Sequence, residues 1–185
     1  RCPQIWSTIP PIITEDPESE MLALSIRSYA ERYLERSRSL PLDFSLSIID
    51  ERCALSHPGW AAVFEVFIEH SERWRNANID TSLDILPALQ RVKGRLCALE
   101  RLRILVLPFQ EMRSQPKIDQ IRFDCLSEVP RLRYLDLGIK SNCNRIDISL
   151  PLDKLHSITF APSTPNNLHK NLCASPHNLR QLIVN

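Results

Sequence analysis

Three side chains with metal-ligand chemistry stand four residues apart near the carboxyl end of the chain: His169, Cys173 and His177. On a helix that spacing would line two imidazoles and a thiolate along one face, the beginning of a zinc site. Pro176 falls inside the span and the Asn-rich surroundings read as loop, so the helix that would align them is not expected. No fourth ligand lies nearby in sequence, and the expectation is no metal. Other chemistry is equally short of a framework. The chain has three glycines, Gly59, Gly94 and Gly138, too few and too dispersed for a phosphate-cradling loop or a dinucleotide fingerprint. It has no Gly-x-Ser-x-Gly elbow, no His-Glu-x-x-His pair and no Cys-x-x-Cys knuckle. Ser, His and Asp are plentiful, but no spacing among them specifies a triad. The sequence therefore predicts no catalytic residues, no cofactor and no enzyme.

What is regular in the chain is apolar. Leu99-Glu-Arg-Leu102-Arg-Ile104, Leu132-Arg-Tyr-Leu135-Asp-Leu137, Leu155-His-Ser-Ile158-Thr-Phe160 and Leu179-Arg-Gln-Leu182-Ile-Val184 share one pattern. In each, the last two apolar positions alternate with polar ones, as a half-buried strand requires, and the leading residue anchors the chain as it enters. Trp74-Arg-Asn-Ala77-Asn-Ile79 keeps the spacing with a Trp anchor, and Leu42-Asp-Phe44-Ser-Leu46-Ser-Ile48 keeps the alternation. A single such strand cannot bury its apolar face, whereas stacked copies can. A recurrence of about 23 to 33 residues is that of leucine-rich repeats. The expected fold is α/β: a leucine-rich-repeat solenoid with parallel strands on one face and helices and irregular turns on the other. Its strands should run near 42–48, 77–80, 102–105, 134–137, 157–160 and 181–184, in one sheet and in chain order. Leu102, Leu135, Ile158 and Leu182 hold the same repeat position and should form one buried column.

Helices must lie between those strands. Thr14-Glu-Asp-Pro17 is a helix-start signal in which Asp16 can cap and Pro17 suits the first turn. From there Leu22, Ile26, Tyr29 and Tyr33 recur at helical steps, which predicts a helix ending near residues 37–39 with that stripe in the core. After Ser56-His57-Pro58-Gly59, the residues Trp60, Val63, Phe64 and Phe67, widened by Ile68, predict a second helix. Residues 82–96 offer a third despite Pro87 and Gly94, and beyond Leu107 the connections are Pro-rich and short. The whole of 1–185 reads as one domain: 1–13 a leading segment, 14–96 helix-rich repeats, 97–185 shorter ones.

Among 185 residues there are 23 basic and 22 acidic side chains, a formal net charge of +1, so no overall field draws the chain to nucleic acid or to an anionic membrane. A local excess between Arg91 and Arg133 lacks interleaved aromatics and reads as a solvated face. The six cysteines, Cys2, Cys53, Cys97, Cys125, Cys143 and Cys173, have no paired spacing and are expected as small apolar fillers in a reducing compartment. With no apolar run long enough for a bilayer and no signal-peptide pattern, the expected location is cytoplasmic or nuclear.

Several strings carry a resemblance. Arg1-Cys-Pro-Gln-Ile-Trp6-Ser-Thr-Ile9 resembles the segment that follows the F-box in fungal F-box proteins with leucine-rich repeats. Tyr33-Leu-Glu-Arg-Ser37-Arg38-Ser-Leu-Pro41-Leu42 is similar to that family's Leu-x-Arg-Ser-Gly-x-x-Pro-Leu stretch, with Arg38 at the usual Gly. His70-Ser-Glu-Arg73-Trp74 resembles its His-x-x-Arg-Trp signature, and Val129-Pro-Arg-Leu132-Arg133 its Ala-Pro-x-Leu-Arg lead into a strand. The resemblance implies the target-binding half of a cullin-type ubiquitin-ligase subunit. In that family a Skp-type adaptor docks on the F-box, which this chain does not contain, and the partner of the repeats is a protein target. The polar residues between buried strand positions would then form the binding face: Ser45, Asn76, Asn78, Arg101, Arg103, Tyr134, Asp136, Ser157, Thr159 and Gln181, with Ile183 at its margin. The alternative is a repeat module of structural or assembly role with no ligase link.

Overall fold

A computed structural model of the chain describes residues 2–14, 19–48, 58–81, 85–106, 121–139, 146–151, 153–160 and 181–184. The protein is α/β. Its strands are β1 (Ile12–Thr14), β2 (Leu42–Ile48), β3 (Trp74–Thr81), β4 (Arg101–Val106), β5 (Ile121–Phe123), β6 (Tyr134–Ile139), β7 (Ile146–Ile148), β8 (Ser157–Phe160) and β9 (Gln181–Val184). Seven of them form one all-parallel sheet in the order β1-β2-β3-β4-β6-β8-β9, while β5 and β7 pair separately, also in parallel. The six segments with the alternating pattern thus share one parallel sheet in chain order, and β1 adds an edge strand that the pattern does not predict.

Equivalent motif positions stand opposite one another. Phe44, Ala77, Leu102, Leu135 and Ile158 form one row across the sheet, and Leu46, Ile79, Ile104 and Leu137 the next. All nine are buried. Leu182 holds the corresponding place on β9. The anchors Leu99, Leu132 and Leu155 are fully enclosed, because each turns inward just before its strand begins. Trp74 plays the anchor in β3, opposite Leu42, and the register then shifts so that Asn76 faces Asp43. Arg75 is the extra residue of this bulge, which restores the alternation after the anchor.

One face of the sheet is covered by α2 (Pro58–Glu69), whose Trp60, Val63, Phe64, Val66, Phe67 and Ile68 are buried. The Phe44 ring lies 4.6 Å from Phe67 and 5.1 Å from Trp74, so strand, helix and anchor close on a single aromatic centre. Each such ring contributes about 1.5–3 kcal/mol by leaving water.

The first helix, α1 (Glu20–Ser37), ends where the sequence predicts but differs in two respects. Its N-cap is Ser19, which accepts from the Leu22 amide at 3.2 Å, in place of the expected Asp16, which lies outside the described residues. Its buried residues are Ala23, Ala30, Leu34 and Ser37, whereas Leu22 and Tyr29 of the expected stripe remain exposed. Ile26 and Tyr33 of that stripe do pack, partly buried, against the core; Tyr33 also meets Trp6 edge-on at 4.9 Å, and Arg36 covers the Trp6 ring at 4.4 Å.

The third helix is shorter than 82–96: α3 (Ile85–Leu89) passes into a single 3-10 turn, Gln90–Val92, and Gly94 then takes φ 74, a left-handed turn. Among the expected cysteine fillers Cys125 is buried but Cys2 and Cys97 are exposed. Burial pushes the Cys125 thiol up to about 12. The basic stretch is not simply solvated, since Arg91 pairs with Glu65, Lys93 with Asp124 at 2.7 Å and Arg95 with Glu72 at 3.0 Å, each joining separate chain segments. Among the described residues no helix is long and apolar enough to cross a membrane, and no cluster of ligating side chains could hold a metal. His169, Cys173 and His177 lie outside the described residues.

Candidate interaction groove

The face of the sheet opposite the aromatic centre carries the polar members of each strand. Two rows run across it. In one, Asp43, Asn76, Arg101, Tyr134, Ser157 and Gln181 stand in register; in the other, Ser45, Asn78, Arg103, Asp136, Thr159 and Ile183. Nine of the ten residues expected on this face, all except Gln181, line one groove of about 550 Å³. Gln181 and Ile183 occupy the next register positions on β9, where only the backbone is described.

Side chains of the second row are linked. Asn78 Nδ2 donates to Ser45 Oγ at 3.0 Å, and Arg103 donates to Asn78 Oδ1 at 3.1 Å. Arg103 also lies 3.3 Å from Asp80 and 3.4 Å from Asp136, so one guanidinium is shared by two carboxylates on different strands. Asp80 Oδ1 is enclosed and makes no aligned hydrogen bond despite that proximity. Burial raises the Asp80 carboxyl above its usual range, Arg103 opposes the rise and Asp136 adds to it.

In the first row Arg101 lies over the ring of Tyr134 at 4.2 Å, and His156 meets the same ring edge-on at 6.1 Å. Asp43 is the residue sequence reasoning missed. It accepts from Arg75 in a two-point contact, with Nε to Oδ1 at 2.9 Å, and from Asn76 Nδ2 at 2.7 Å. Its backbone meanwhile receives the leading segment, donating to Ser7 and accepting from the Ile9 amide, each at 2.9 Å. Thr8, Ile9 and Pro11 consequently wall one side of the groove, while Arg101 and Tyr134 rise farther along the sheet. Alternation along β2 already places Asp43 beside Ser45 on this face, between buried Leu42 and Phe44, and the bulge at Arg75 brings Asn76 opposite it.

Among the described residues the groove is lined by hydroxyl, amide, carboxylate and guanidinium side chains beside the Tyr134 ring. Its chemistry is hydrogen bonding, ion pairing and ring contact along an extended trough. The chain matches no protein-family model, no curated protein and no solved structure.

Proposed function

We propose that the chain is a noncatalytic protein-interaction scaffold, a leucine-rich-repeat solenoid whose polar sheet face captures a protein target. The observation that carries this reading is the combination of chain-ordered parallel strands with a polar row aligned over an open groove. Parallel sheets of doubly wound α/β proteins are covered on both faces, and their strand order reverses at a crevice. Here α2 packs under one face while the other presents Ser45, Asn78, Arg103 and Asp136 in line, the arrangement that stacked repeats use for partners. The strings Arg73-Trp74 and Val129-Pro130 extend the reading to the target-recognition part of an F-box subunit of a cullin-type ubiquitin ligase. Such a protein works in the cytoplasm or nucleus and reaches its Skp-type adaptor only through an F-box.

The test has two arms. A photo-crosslinker placed at Thr159 should capture a protein in cells, and Ser45→Trp, which fills the groove, should abolish that capture; the same probe at Glu31 on α1 should not report the change. Capture unaffected by Ser45→Trp overturns the choice of face. Separately, the 185-residue chain should not bind a Skp-type adaptor, whereas the chain joined to an F-box should. Adaptor binding by the chain alone overturns the division of roles, and an F-box fusion that captures the target but no adaptor favours an assembly module without a ligase link.

A further inference from the structure

Charges along the groove are not all spent alike. Asp43 is engaged at two points by Arg75 and at a third by Asn76. Asp136 faces Arg103, and Arg103 is divided between Asp136 and Asp80. Arg101 differs. Among the described residues its guanidinium has no hydrogen-bond acceptor and no carboxylate within ion-pair distance, and its one contact is the Tyr134 ring at 4.2 Å. Both residues are exposed, Tyr134 to 40 %.

Stacking on a ring occupies the face of a guanidinium and leaves the N–H donors at its edge free. The ring also fixes the plane, so a carboxylate can meet two of those donors at once with little further ordering cost. His156, set at 87° to Tyr134, braces that ring in turn. Beside the pair the trough is floored by short side chains, Ser45, Asn76 and Asn78, and is walled opposite by Thr8, Ile9 and Pro11. A single extended chain fits such a floor.

We propose that the groove takes an extended acidic polypeptide segment, one of whose Asp or Glu carboxylates pairs with Arg101 held on the Tyr134 ring. This rests on the reading of the groove as a protein-binding face and names the chemistry of its partner. Asp43 is held by Arg75 and Asn76, and Asp136 shares Arg103 with Asp80, whereas Arg101 has no carboxylate partner among the described residues and offers an incoming acid an oriented cation. Arg and Tyr are also the side chains that most often dominate protein interfaces.

Fluorescence anisotropy with four labelled octapeptides tests the proposal: one alternating Glu with Ala and Tyr, and the same peptide with Gln, Lys or phosphoserine in place of Glu. The Glu peptide should bind at least about tenfold more tightly than the Gln or Lys peptide, and the difference should shrink as salt is raised. Arg101→Gln should erase that preference, Arg101→Lys should recover only part of it, and Tyr134→Leu should weaken it. Preference for the Lys or Gln peptide, lost in Ser45→Trp, would overturn the carboxylate pairing while leaving the protein-binding face intact. A phosphoserine peptide favoured over Glu by about tenfold or more through Arg101 would replace the carboxylate by a phosphate. Binding of no peptide, with no response to Ser45→Trp, would overturn both the pairing and the reading beneath it.

Discussion

Arg73 and Trp74 are consecutive in the chain and close the carboxyl ends of two different helices. The Arg73 guanidinium donates to the carbonyls of Leu34 and Leu40, at 3.3 and 3.0 Å, and to the Ser37 hydroxyl, so it gathers the last turn of α1 and the chain leaving it. Trp74 Nε1 donates to the Phe67 carbonyl at 3.0 Å, at the end of α2. Orphan carbonyls at helix ends need donors, and a cation there also suits the negative end of the helix dipole. This is a physical reason for an Arg-Trp pair between a helix and a strand: one dipeptide finishes both helices and supplies the anchor of β3.

Removing the first half of that clasp should be costly. Arg73→Met removes three donors, leaving the Leu34 carbonyl only its bond from the Ser37 hydroxyl, and should lower unfolding stability by about 2 kcal/mol, with Arg73→Lys intermediate because an ammonium cannot reach all three acceptors. Chemical denaturation measures it; an unchanged midpoint for Arg73→Met would deny the clasp.

At the same helix end, Arg38 adopts φ 56 and ψ −119, a backbone conformation that favours glycine. Arg38→Gly should therefore stabilise the fold by about 1 kcal/mol, whereas Arg38→Ala, which keeps a Cβ, should not. The same denaturation series decides it, and a loss of stability on going to glycine would contradict the strain.

Leu135 sits between Leu102 and Ile158 in the buried row and is 2 % exposed. Leu135→Ala should cost about 2–5 kcal/mol through lost burial and the cavity left behind. Tyr134→Ala, one residue away on the open face, should cost less than about 1 kcal/mol. Equal effects would mean that the two faces have been exchanged.

Asp80 gives a pH dependence. Burial raises its folded-state affinity for a proton above that of an unfolded Asp. Its contribution to stability is thus fully present below the unfolded range, near about pH 4, and is lost as pH rises through the higher folded value. Asp80→Asn should be more stable than the parent at neutral pH and equal to it in acid. A destabilised variant at neutral pH would show that attraction to Arg103 outweighs burial.

The buried rows were legible in the sequence because Leu102, Leu135 and Ile158 recur at one motif position, and the open rows followed from the residues between them. β1 was not legible: three residues after Pro10-Pro11 are too few to display an alternation, and their pairing depends on the far side of α1. The buried face of α1 was half legible: Ile26 and Tyr33 pack against the core as expected, while Ala23, Ala30 and Ser37, which carry little hydrophobic weight in a periodicity, take the places expected for Leu22 and Tyr29. Asp43 was legible by the alternation of Leu42, Phe44 and Leu46 and was passed over, whereas its contact with Arg75 needs the bulge on the neighbouring strand, which no local pattern encodes. Arg101 was placed on the right face, but its stack on Tyr134 depends on a register between strands about 33 residues apart, which no local pattern encodes.

A sheet whose strands follow chain order has no strand that ties one end of the polypeptide to the other. β3 is held by β2 and β4, β4 by β3 and β6, and so outward to β1 and β9, the outermost strands among the described residues. Along the sheet, damage at β8 reaches β2 through the strands between them, so the sheet should yield like a zip, from its outer strands inward, rather than all at once. Backbone amides should accordingly exchange slowest in β3 and β4 and faster toward the outer strands; protection uniform across the sheet would mean that something other than neighbour pairing locks it.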